Sequence, residues 1–386
     1  MPSSTTWSSQ PFRTLYTVGF WSINIPHLLY LSLRNSIAPI RTVPQWGYQL
    51  SMGVAILRAL FRYLAVIRYQ QPRQMVPGKA QDRFVLIAPP DATLFRGVLG
   101  APAAATKPEP VGAVWYPAVP IPAPPPPGNN GATAGDPPPP PPRRRVIIYA
   151  AGGAFVTGWD PDENAQNIAA LATDHFDDAA RVLCMQYRLA SRAHPFPAAV
   201  QDLFTAYQYV LGLGVAPRDV VLMGDSAGAN LVLAVLRYLA VEGLRQPGGA
   251  VVFSPWVEVT AEAVQKYSRS VASRYDMLDV PLLEWGVDAY RPQGRTLTQE
   301  EEGYISPLHH PFPLKETRLY VDAGSLDGVY ESISVFAKQM MDVAGNRVRF
   351  HTTENMPHDY FLTYPLLGTK EEACAALRDA RDFLSA

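Results

Sequence analysis

The 386-residue sequence has few cysteines, few charged residues and no N-linked glycosylation sequon. Cys184 and Cys374 are its only cysteines, which excludes a disulfide framework, and the missing sequon favours an intracellular protein. Charged residues make up only 17% of the chain and the formal net charge is -1, so no whole-protein field attracts nucleic acid. The chain is 48% hydrophobic, which is enough for a sizeable buried core.

The N-terminal segment, residues 1–81, lacks acidic side chains altogether. Asp82 is the first acidic residue, and eight arginines and lysines precede it. This segment therefore carries +8, and the remainder must carry -9 to give the total of -1. The near-zero net charge is the sum of a basic, apolar N-terminal segment and an acidic body.

Two stretches of this basic segment favour helices. Residues 14–33 contain no charged side chain, and residues 50–69 show apolar residues at helical spacing. Arg58 and Arg62 are four residues apart on another face of the second stretch, as in an interfacial helix. Residues 1–80 are therefore expected to form a helical cap on a soluble domain, to attach the protein to a membrane surface, with or without a signal-anchor helix that spans the membrane, or to do both. The expected location is cytoplasmic or at an internal membrane.

Proline is concentrated in one segment. Twelve of the 38 prolines lie between Pro120 and Pro142. This composition cannot form a packed core and favours extended, flexible backbone. Residues 111–116 before it and 146–150 after it have the apolar, β-branched composition of strands. The sequence therefore predicts a Pro-rich disordered loop over residues 120–142, between two strands.

Short apolar runs alternate with helical patterns from Arg145 to the C-terminus. The predicted strands are residues 146–150, 182–187, 220–223, 250–254, 318–322 and 348–352, and the predicted helices are residues 164–175, 198–213, 227–241, 333–344 and 370–384. This alternation predicts an α/β fold with a mostly parallel sheet and helices on both faces. The sequence has no Cys/His cluster at metal-ligand spacing and no G-x-G-x-x-G motif, so no metal or organic cofactor is expected.

A G-x-S-x-G motif occupies residues 224–228, as Gly-Asp-Ser-Ala-Gly. It follows an apolar strand and begins a helix, which is the context of a nucleophile elbow. The flanking glycines fit this interpretation, because side chains beside a strained turn would collide with it. The motif makes Ser226 the candidate nucleophile.

An acid and a base follow the candidate nucleophile in the order Ser, Asp, His. Asp327 follows one predicted strand and His358 follows the last one, which is the chain order of α/β-hydrolases. Asp322 and Asp359 are alternatives for the acid, but Asp322 ends a strand and Asp359 is adjacent to the histidine. Other histidines in this region do not follow the last strand; they are His309, His310 and His351.

Several motifs together resemble the hormone-sensitive-lipase-like carboxylesterases of the α/β-hydrolase fold. They are Gly224–Gly228, Tyr-Arg-Leu-Ala at residues 187–190, His-Pro-Phe-Pro-Ala-Ala at residues 194–199 and Ser-Pro-Leu at residues 306–308. The resemblance runs from about Val111 to the C-terminus. It implies an eight-stranded, mostly parallel sheet covered by a helical cap.

The same resemblance divides the chain. Residues 1–80 are expected to form the N-terminal helical cap, and residues 81–386 the hydrolase domain, with a cap insertion at about 258–313. The N-terminal helices, with their basic stretches, resemble those of fungal esterases of this type.

One loop departs from the family pattern. The family usually has His-Gly-Gly-Gly before its oxyanion hole, whereas this chain has Ala151 at the position of the histidine. The donors of such a hole are backbone N–H groups, which any residue but proline supplies. By the resemblance, the predicted oxyanion hole comprises Gly152, Gly153, Ala154 and Ala227.

These residues predict a serine hydrolase, a carboxylesterase or deacetylase. Ser226, Asp327 and His358 form the expected catalytic triad, and the substrate is a small hydrophobic ester, such as a natural-product or sterol ester. A non-hydrolytic cyclase or dehydratase of secondary metabolism, with His358 as base, is the alternative that the altered loop keeps open. A receptor-like binding protein is a further alternative, which the complete triad disfavours. The sequence does not determine the oligomeric state.

Overall fold

The structure is a computed structural model that describes residues 6–100, 106–117, 145–176 and 180–386. The predicted Pro-rich loop over residues 120–142 lies outside the described residues. The flanking strands that the sequence predicts, Val111–Tyr116 and Val146–Ala150, have the expected bounds.

In the described part of the chain, eight strands form one sheet in the order β1-β2-β4-β3-β5-β6-β7-β8. Their bounds are β1 Phe84–Ile87, β2 Val111–Tyr116, β3 Val146–Ala150, β4 Arg181–Gln186, β5 Val220–Asp225, β6 Gly249–Phe253, β7 Arg318–Gly324 and β8 Arg347–Thr353. Strand β2 pairs antiparallel with β1 and β4, and all the other pairs are parallel. The predicted α/β fold with an eight-stranded, mostly parallel sheet is confirmed.

Twelve α-helices in the described residues surround the sheet. Their bounds are α1 Phe12–Ser36, α2 Tyr48–Ile67, α3 Gly97–Gly100, α4 Pro161–His175, α5 Ala198–Gly212, α6 Ser226–Val241, α7 Ala261–Arg269, α8 Val280–Tyr290, α9 Gln299–Ile305, α10 Tyr330–Met341, α11 Tyr364–Leu367 and α12 Lys370–Ser385. Neighbouring residues of β3 belong to hydrophobic cores on opposite faces of the sheet. Ile147 lies in the core that includes residues of α4 and α12, and Ile148 lies in the core that includes residues of α5, α6 and α10. Helices therefore cover both faces of the sheet.

The N-terminal helices pack against the rest of the protein. Helix α1 packs on α2, and α2 packs on α8. Arg62 on α2 donates two hydrogen bonds to the Asp279 carboxylate, at 2.7 and 2.8 Å, and Trp46 Nε1 donates to the carbonyl of Asn355 at 2.6 Å. These contacts attach the segment before β1 to the insertion before α8 and to the loop after β8.

By length and composition alone, helix α2 could cross a membrane, since its mean hydropathy is 1.7. However, 44% of its most apolar stretch is buried inside the protein. Helix α1 instead exposes its apolar face. Large hydrophobic side chains along that face are exposed, namely Phe12, Leu15, Val18, Ile23, Ile25, Leu29, Tyr30 and Leu33. The described N-terminal segment therefore buries much of α2 and leaves one face of α1 without a partner.

Candidate active site

Ser226 lies at the junction between β5 and α6. Its φ of 48° is in the left-handed region that disfavours side chains, as a nucleophile elbow requires. The strand ends and the helix begins so abruptly that Gly224 and Gly228 contact the backbone of Ala150, and a Cβ on either glycine would overlap its carbonyl. The glycines of the G-x-S-x-G motif thus permit the turn that presents Ser226.

The structure brings Ser226, His358 and Asp327 into hydrogen-bond contact. His358 Nε2 lies 2.9 Å from Ser226 Oγ, and His358 Nδ1 lies 3.0 Å from both carboxylate oxygens of Asp327. All three residues are buried. With Nδ1 held by the carboxylate, Nε2 is free to accept the serine proton, which is the arrangement that activates a serine nucleophile.

The surroundings of His358 favour its protonated form. Burial alone lowers the pKa of this imidazole, but the charge and hydrogen bond of Asp327, with the more distant Asp276 and Asp225, outweigh burial and raise the pKa above its ordinary value of 6.5. A base with a raised pKa takes a proton more readily and stabilises the imidazolium that forms when serine attacks.

The alternative acids have other partners. Asp322 accepts hydrogen bonds from Tyr360 Oη at 2.7 Å and Thr353 Oγ1 at 3.0 Å, and it contacts His351 Nδ1 at 2.7 Å. This second Asp–His pair stabilises the end of the sheet between β7 and β8 and does not include Ser226. The geometry therefore favours Asp327 over Asp322 as the partner of His358.

Asp276, which the sequence analysis did not single out, supports both catalytic loops. Its buried carboxylate accepts hydrogen bonds from the backbone N–H groups of Gly328 at 2.7 Å and His358 at 3.2 Å. Burial, reinforced by the charge of Asp327, raises the pKa of Asp276 to about 6. No short motif marks such a residue, because its role depends on how the part of the insertion that precedes α8 folds against the loops of Gly328 and His358.

A second buried carboxylate, Asp225, holds the predicted oxyanion loop. The backbone N–H of Gly152 donates to Asp225 Oδ2 at 2.8 Å, and Tyr149 Oη donates to the other oxygen. Burial and the neighbouring charge of Asp225 raise the pKa of Asp359 well above its ordinary value. The N–H of Gly152 is therefore occupied by a carboxylate.

The remaining predicted donors lie around the serine. Gly153 and Ala154 line the pocket with Ser226, and both have positive φ, 120° and 51° respectively. Ala227 is the second residue of α6, where backbone N–H groups are unpaired within the helix and favour anions. The three N–H groups can therefore serve an oxyanion at Ser226 without Gly152.

The loop is braced although the family histidine is absent. Tyr187 Oη donates to the carbonyl of Ala151 at 2.8 Å, and the N–H of Ala190 donates to the carbonyl of Phe155 at 2.7 Å. Tyr187 belongs to one of the motifs that the sequence analysis identified. These bonds fix both ends of the segment that contains Gly153 and Ala154.

The pocket beside Ser226 is narrow and mostly apolar. About 20 Å³ of open space remains there, which holds roughly one water molecule. The apolar walls come from three parts of the chain: Phe61 on α2, Trp159 and Trp256 near the sheet, and Leu282 and Leu283 on α8. In the described residues, no group of three or more His, Cys, Asp or Glu side chains is placed to hold a metal ion.

Comparisons with known proteins agree with this architecture. The family described as alpha/beta hydrolase fold matches residues 147–362. The chain is 31% identical over 188 residues to an acetyl-hydrolase of Streptomyces hygroscopicus, covering 49% of this chain and 60% of that protein. It is 26% identical over 98 residues to a Schizosaccharomyces pombe protein provisionally named a steryl acetyl hydrolase, covering 24% and 25%. The chain thus spans less than two thirds of either relative.

A solved structure of an esterase from the bacterial hormone-sensitive lipase family has the same fold. It superposes with a TM-score of 0.55 at 22% identity, covering 86% of this chain and 98% of the esterase. The shared fold therefore extends well beyond the segments that the sequence relatives match.

Proposed function

The chain belongs to the alpha/beta hydrolase family, and on that premise we propose that it is a serine ester hydrolase of the hormone-sensitive-lipase-like branch. The contact of His358 with both Ser226 and Asp327 is the observation that carries the proposal. The acetyl-hydrolase and esterase relatives support the same class of reaction.

In the proposed reaction Ser226 Oγ attacks the carbonyl carbon of the ester while His358 Nε2 takes the serine proton. The charge of Asp327 stabilises the imidazolium that forms. His358 then gives the proton to the departing alcohol, which leaves an acyl group on Ser226. A water molecule, activated by the same imidazole, attacks the acyl group, releases the carboxylic acid and restores the serine.

The oxyanion is stabilised by the N–H groups of Gly153, Ala154 and Ala227. The N–H of Gly152 donates to Asp225 instead of to the oxyanion, and Gly152 thereby positions the loop. The loss of one such donor costs about 10²–10³-fold in rate, so the exact position of this loop has a large effect.

The proposed substrate is a short-acyl ester of a hydrophobic alcohol, such as an acetylated natural product or sterol. The narrow space beside Ser226 favours a small acyl group, and the apolar walls favour an apolar alcohol. Relatives named as acetyl-hydrolase and steryl acetyl hydrolase support this choice. The fission yeast relative also supports the resemblance to fungal esterases.

The test compares the wild type with Ser226→Ala on p-nitrophenyl acetate and butyrate. We expect Ser226→Ala to lower kcat by about 10⁴–10⁶-fold and to abolish labelling by a fluorophosphonate probe. Ser268→Ala, a surface serine on α7, is the matched control and should retain both signals. A wild type that is as inert as Ser226→Ala toward a broad ester panel would overturn the proposal.

Product analysis separates hydrolysis from the cyclase or dehydratase alternative. The replacement of the family histidine by Ala151 is the observation that favours this alternative. Hydrolysis releases an acid and an alcohol in equal amounts, whereas a cyclase releases an isomer and a dehydratase releases an alkene and water. Detection of the acid together with the alcohol excludes the alternative.

We also propose that two segments form a cap over the hydrolase domain at residues 81–386: the N-terminal segment of residues 1–80, and the insertion at about 258–313. Phe61 from the first segment and Leu282 from the second both line the pocket beside Ser226, which supports this division. Both segments then help to select the substrate.

Helix α1 provides a proposed contact with an anionic membrane surface. Its outer face exposes apolar side chains, and residues 1–81 include eight basic and no acidic side chains. An apolar face bordered by basic residues is typical of helices that lie in the interface of anionic membranes. The proposed location is therefore intracellular, in the cytoplasm or on an internal membrane.

A further inference from the structure

A second cleft, of about 400 Å³, lies between α1 and α2. It shares no lining residue with the pocket beside Ser226, so it is a separate feature. Its far wall comes from the cap insertion, through Arg274 and Tyr275 just before α8. The cleft thus lies where the two proposed cap segments meet.

The side chains around this cleft are unusually basic. Arg34, Arg58, Arg62 and Arg274 line it, and no lining residue is acidic. Only Arg62 forms an ion pair within the described part of the chain, with the buried carboxylate of Asp279.

The other three arginines keep their positive charge uncompensated by any carboxylate within ion-pair distance among the described residues. Arg34 Nε donates to the backbone carbonyl of Ile40 at 2.8 Å, and Arg58 donates to the backbone carbonyls of Ser273 and Asp276. Carbonyls orient a guanidinium but do not neutralise it. Three positive charges around one cleft repel each other, and an anion between them would relieve this repulsion.

Two buried polar side chains of the cleft also lack partners. Asn35 and Ser51 are 2% and 6% exposed, and neither Asn35 Oδ1 nor Ser51 Oγ has a hydrogen-bond partner among the described residues. An unpaired buried polar atom costs about 1–3 kcal/mol. A ligand that brings hydrogen-bond donors as well as negative charge would satisfy them.

We propose that the cleft between α1 and α2 binds a phosphate ester that carries hydroxyl groups beside the phosphate. A phosphate carries about -1.5 to -2 charges at neutral pH and presents several acceptor oxygens, which suits three uncompensated guanidinium groups better than a singly charged carboxylate. The adjoining hydroxyl groups match Asn35 and Ser51.

The phosphate ester can come from a lipid headgroup or from a soluble metabolite. His27 and Arg34 line the cleft on α1, and Tyr30 and Leu33 between them are exposed on the apolar face of the same helix. The cleft therefore borders the surface that we propose for membrane contact. A headgroup in the cleft would leave its acyl chains beside this face, whereas a soluble ester would bind without using it.

The experiment is isothermal titration calorimetry of the full chain with three phosphates: inorganic phosphate, glycerol 3-phosphate and 1-octanoyl lysophosphatidic acid, a lipid that keeps one free hydroxyl group beside its phosphate. Glycerol is the uncharged control. We expect at least one phosphate ester to bind and glycerol to give no heat. Binding of glycerol 3-phosphate identifies a soluble ester as sufficient, whereas binding of the lysophosphatidic acid alone identifies a lipid headgroup; each result supports the proposal. Binding of inorganic phosphate alone would overturn it.

Two arginine variants on the cap insertion decide whether the cleft is the site. Arg274→Gln removes a charge from the cleft and should weaken binding about tenfold. Arg269→Gln removes the same charge from the end of α7, outside the cleft lining, and should leave binding unchanged. Both side chains are exposed, and equal thermal unfolding without ligand verifies the fold of each variant. Absence of binding by any phosphate, or equal weakening by the two variants, would overturn the proposal.

Discussion

Buried carboxylates position the loops around Ser226. Asp225 holds the N–H of Gly152, Asp276 holds the N–H groups of Gly328 and His358, and Asp327 contacts the imidazole itself. Backbone N–H groups bound to a carboxylate form strong, charge-assisted hydrogen bonds. At the scale of single residues, the site therefore depends on acids that never touch the substrate.

Asp327→Asn should lower kcat/KM by about 10⁴-fold and shift the pH profile. His358 must be neutral to accept the serine proton, so activity rises as the pH rises through the imidazole pKa. Asp327 is the largest of the influences that raise this pKa above its ordinary value. Removal of its charge therefore lowers the pKa, although Asp276 and Asp225 still raise it, so the acid limb of the residual activity moves to lower pH.

The measurement is kcat/KM for p-nitrophenyl acetate from about pH 5 to about pH 9, which brackets the titration of histidine. Asp322→Asn is the control, since Asp322 pairs with His351 instead. A profile that moves in Asp322→Asn and stays in place in Asp327→Asn would contradict the assignment of Asp327.

Gly152→Ala should lower kcat by at least about 10²-fold, because a Cβ at this position would overlap the Asp225 carboxylate and displace the oxyanion loop. Gly158→Ala is a matched control in the same segment, where the nearest atoms to an added Cβ are 3.5 and 3.6 Å away. Steady-state kinetics of both variants on one ester provide the measurement. Equal activities would show that the Gly152 contact does not position the loop.

At the scale of secondary structure elements, the pairing of α2 with α8 joins the two proposed cap segments. The contact includes one ion pair, Arg62 with Asp279, in which the carboxylate is buried and the guanidinium is half exposed. Solvent screens the exposed partner, so the pair contributes mainly by satisfying the buried acid.

Arg62→Gln should lower the free energy of unfolding by about 1 kcal/mol, because it leaves the Asp279 carboxylate buried without its charged partner. Urea denaturation provides the measurement. Lys79→Gln makes the same charge change at an exposed site of the N-terminal segment and should have little effect. A similar loss in both variants would indicate a general charge effect instead of this contact.

The sequence predicted the six strands and five of the helices after Arg145 with shifts of a few residues, but it did not predict α7, α8, α9 or α11. Helix α4 begins at Pro161 rather than residue 164, because Asp160 caps it by accepting hydrogen bonds from the N–H groups of Asp162 and Glu163. The prediction followed the apolar pattern, which begins only after that polar first turn. Strand β1, Phe84–Ile87, was missed because so short a run gives too little periodicity.

The helices of the cap insertion illustrate a different difficulty. Helix α9 has a capping box, in which Thr298 and Glu301 bond reciprocally, and that signal was present in the sequence. The position of α8 over Ser226 had no signal in the sequence, because it depends on contacts with α2, a helix from the opposite end of the chain. Motifs predicted the candidate triad, and the structure brings its three side chains into contact, whereas Asp276 and the pocket walls were recognisable only from the tertiary structure.

At the scale of the whole molecule, charge and exposed apolar surface are concentrated at the N-terminal end. Residues 1–81 carry +8, and α1 presents an exposed apolar face, while the remainder of the chain carries -9. If the proposed membrane contact forms, this asymmetry would orient the protein with its basic end toward an anionic lipid surface and its acidic body away from it.

Replacing Leu15, Leu29 and Leu33 together by Gln should reduce co-sedimentation with vesicles of phosphatidylcholine and phosphatidylserine by at least about tenfold, because each buried leucine contributes about 1.5–3 kcal/mol. The control replaces three apolar residues that are exposed elsewhere, Leu213, Val241 and Val271, by Gln. Activity on a soluble ester shows that both variants are folded. Equal vesicle binding by the two triple variants would contradict the membrane contact of α1.

The bonds of Asp276 restrict how substrate can enter the site. Its carboxylate holds the acid and base loops, while its own carbonyl accepts a hydrogen bond from Arg58 of α2. A hinge that swung α2 and the insertion away from the body would therefore pull the supports from His358 at the same time. We therefore expect substrate to enter by rotation of pocket side chains such as Phe61, which lines the pocket beside Ser226, and we expect the turnover rate to show no lag on meeting an interface.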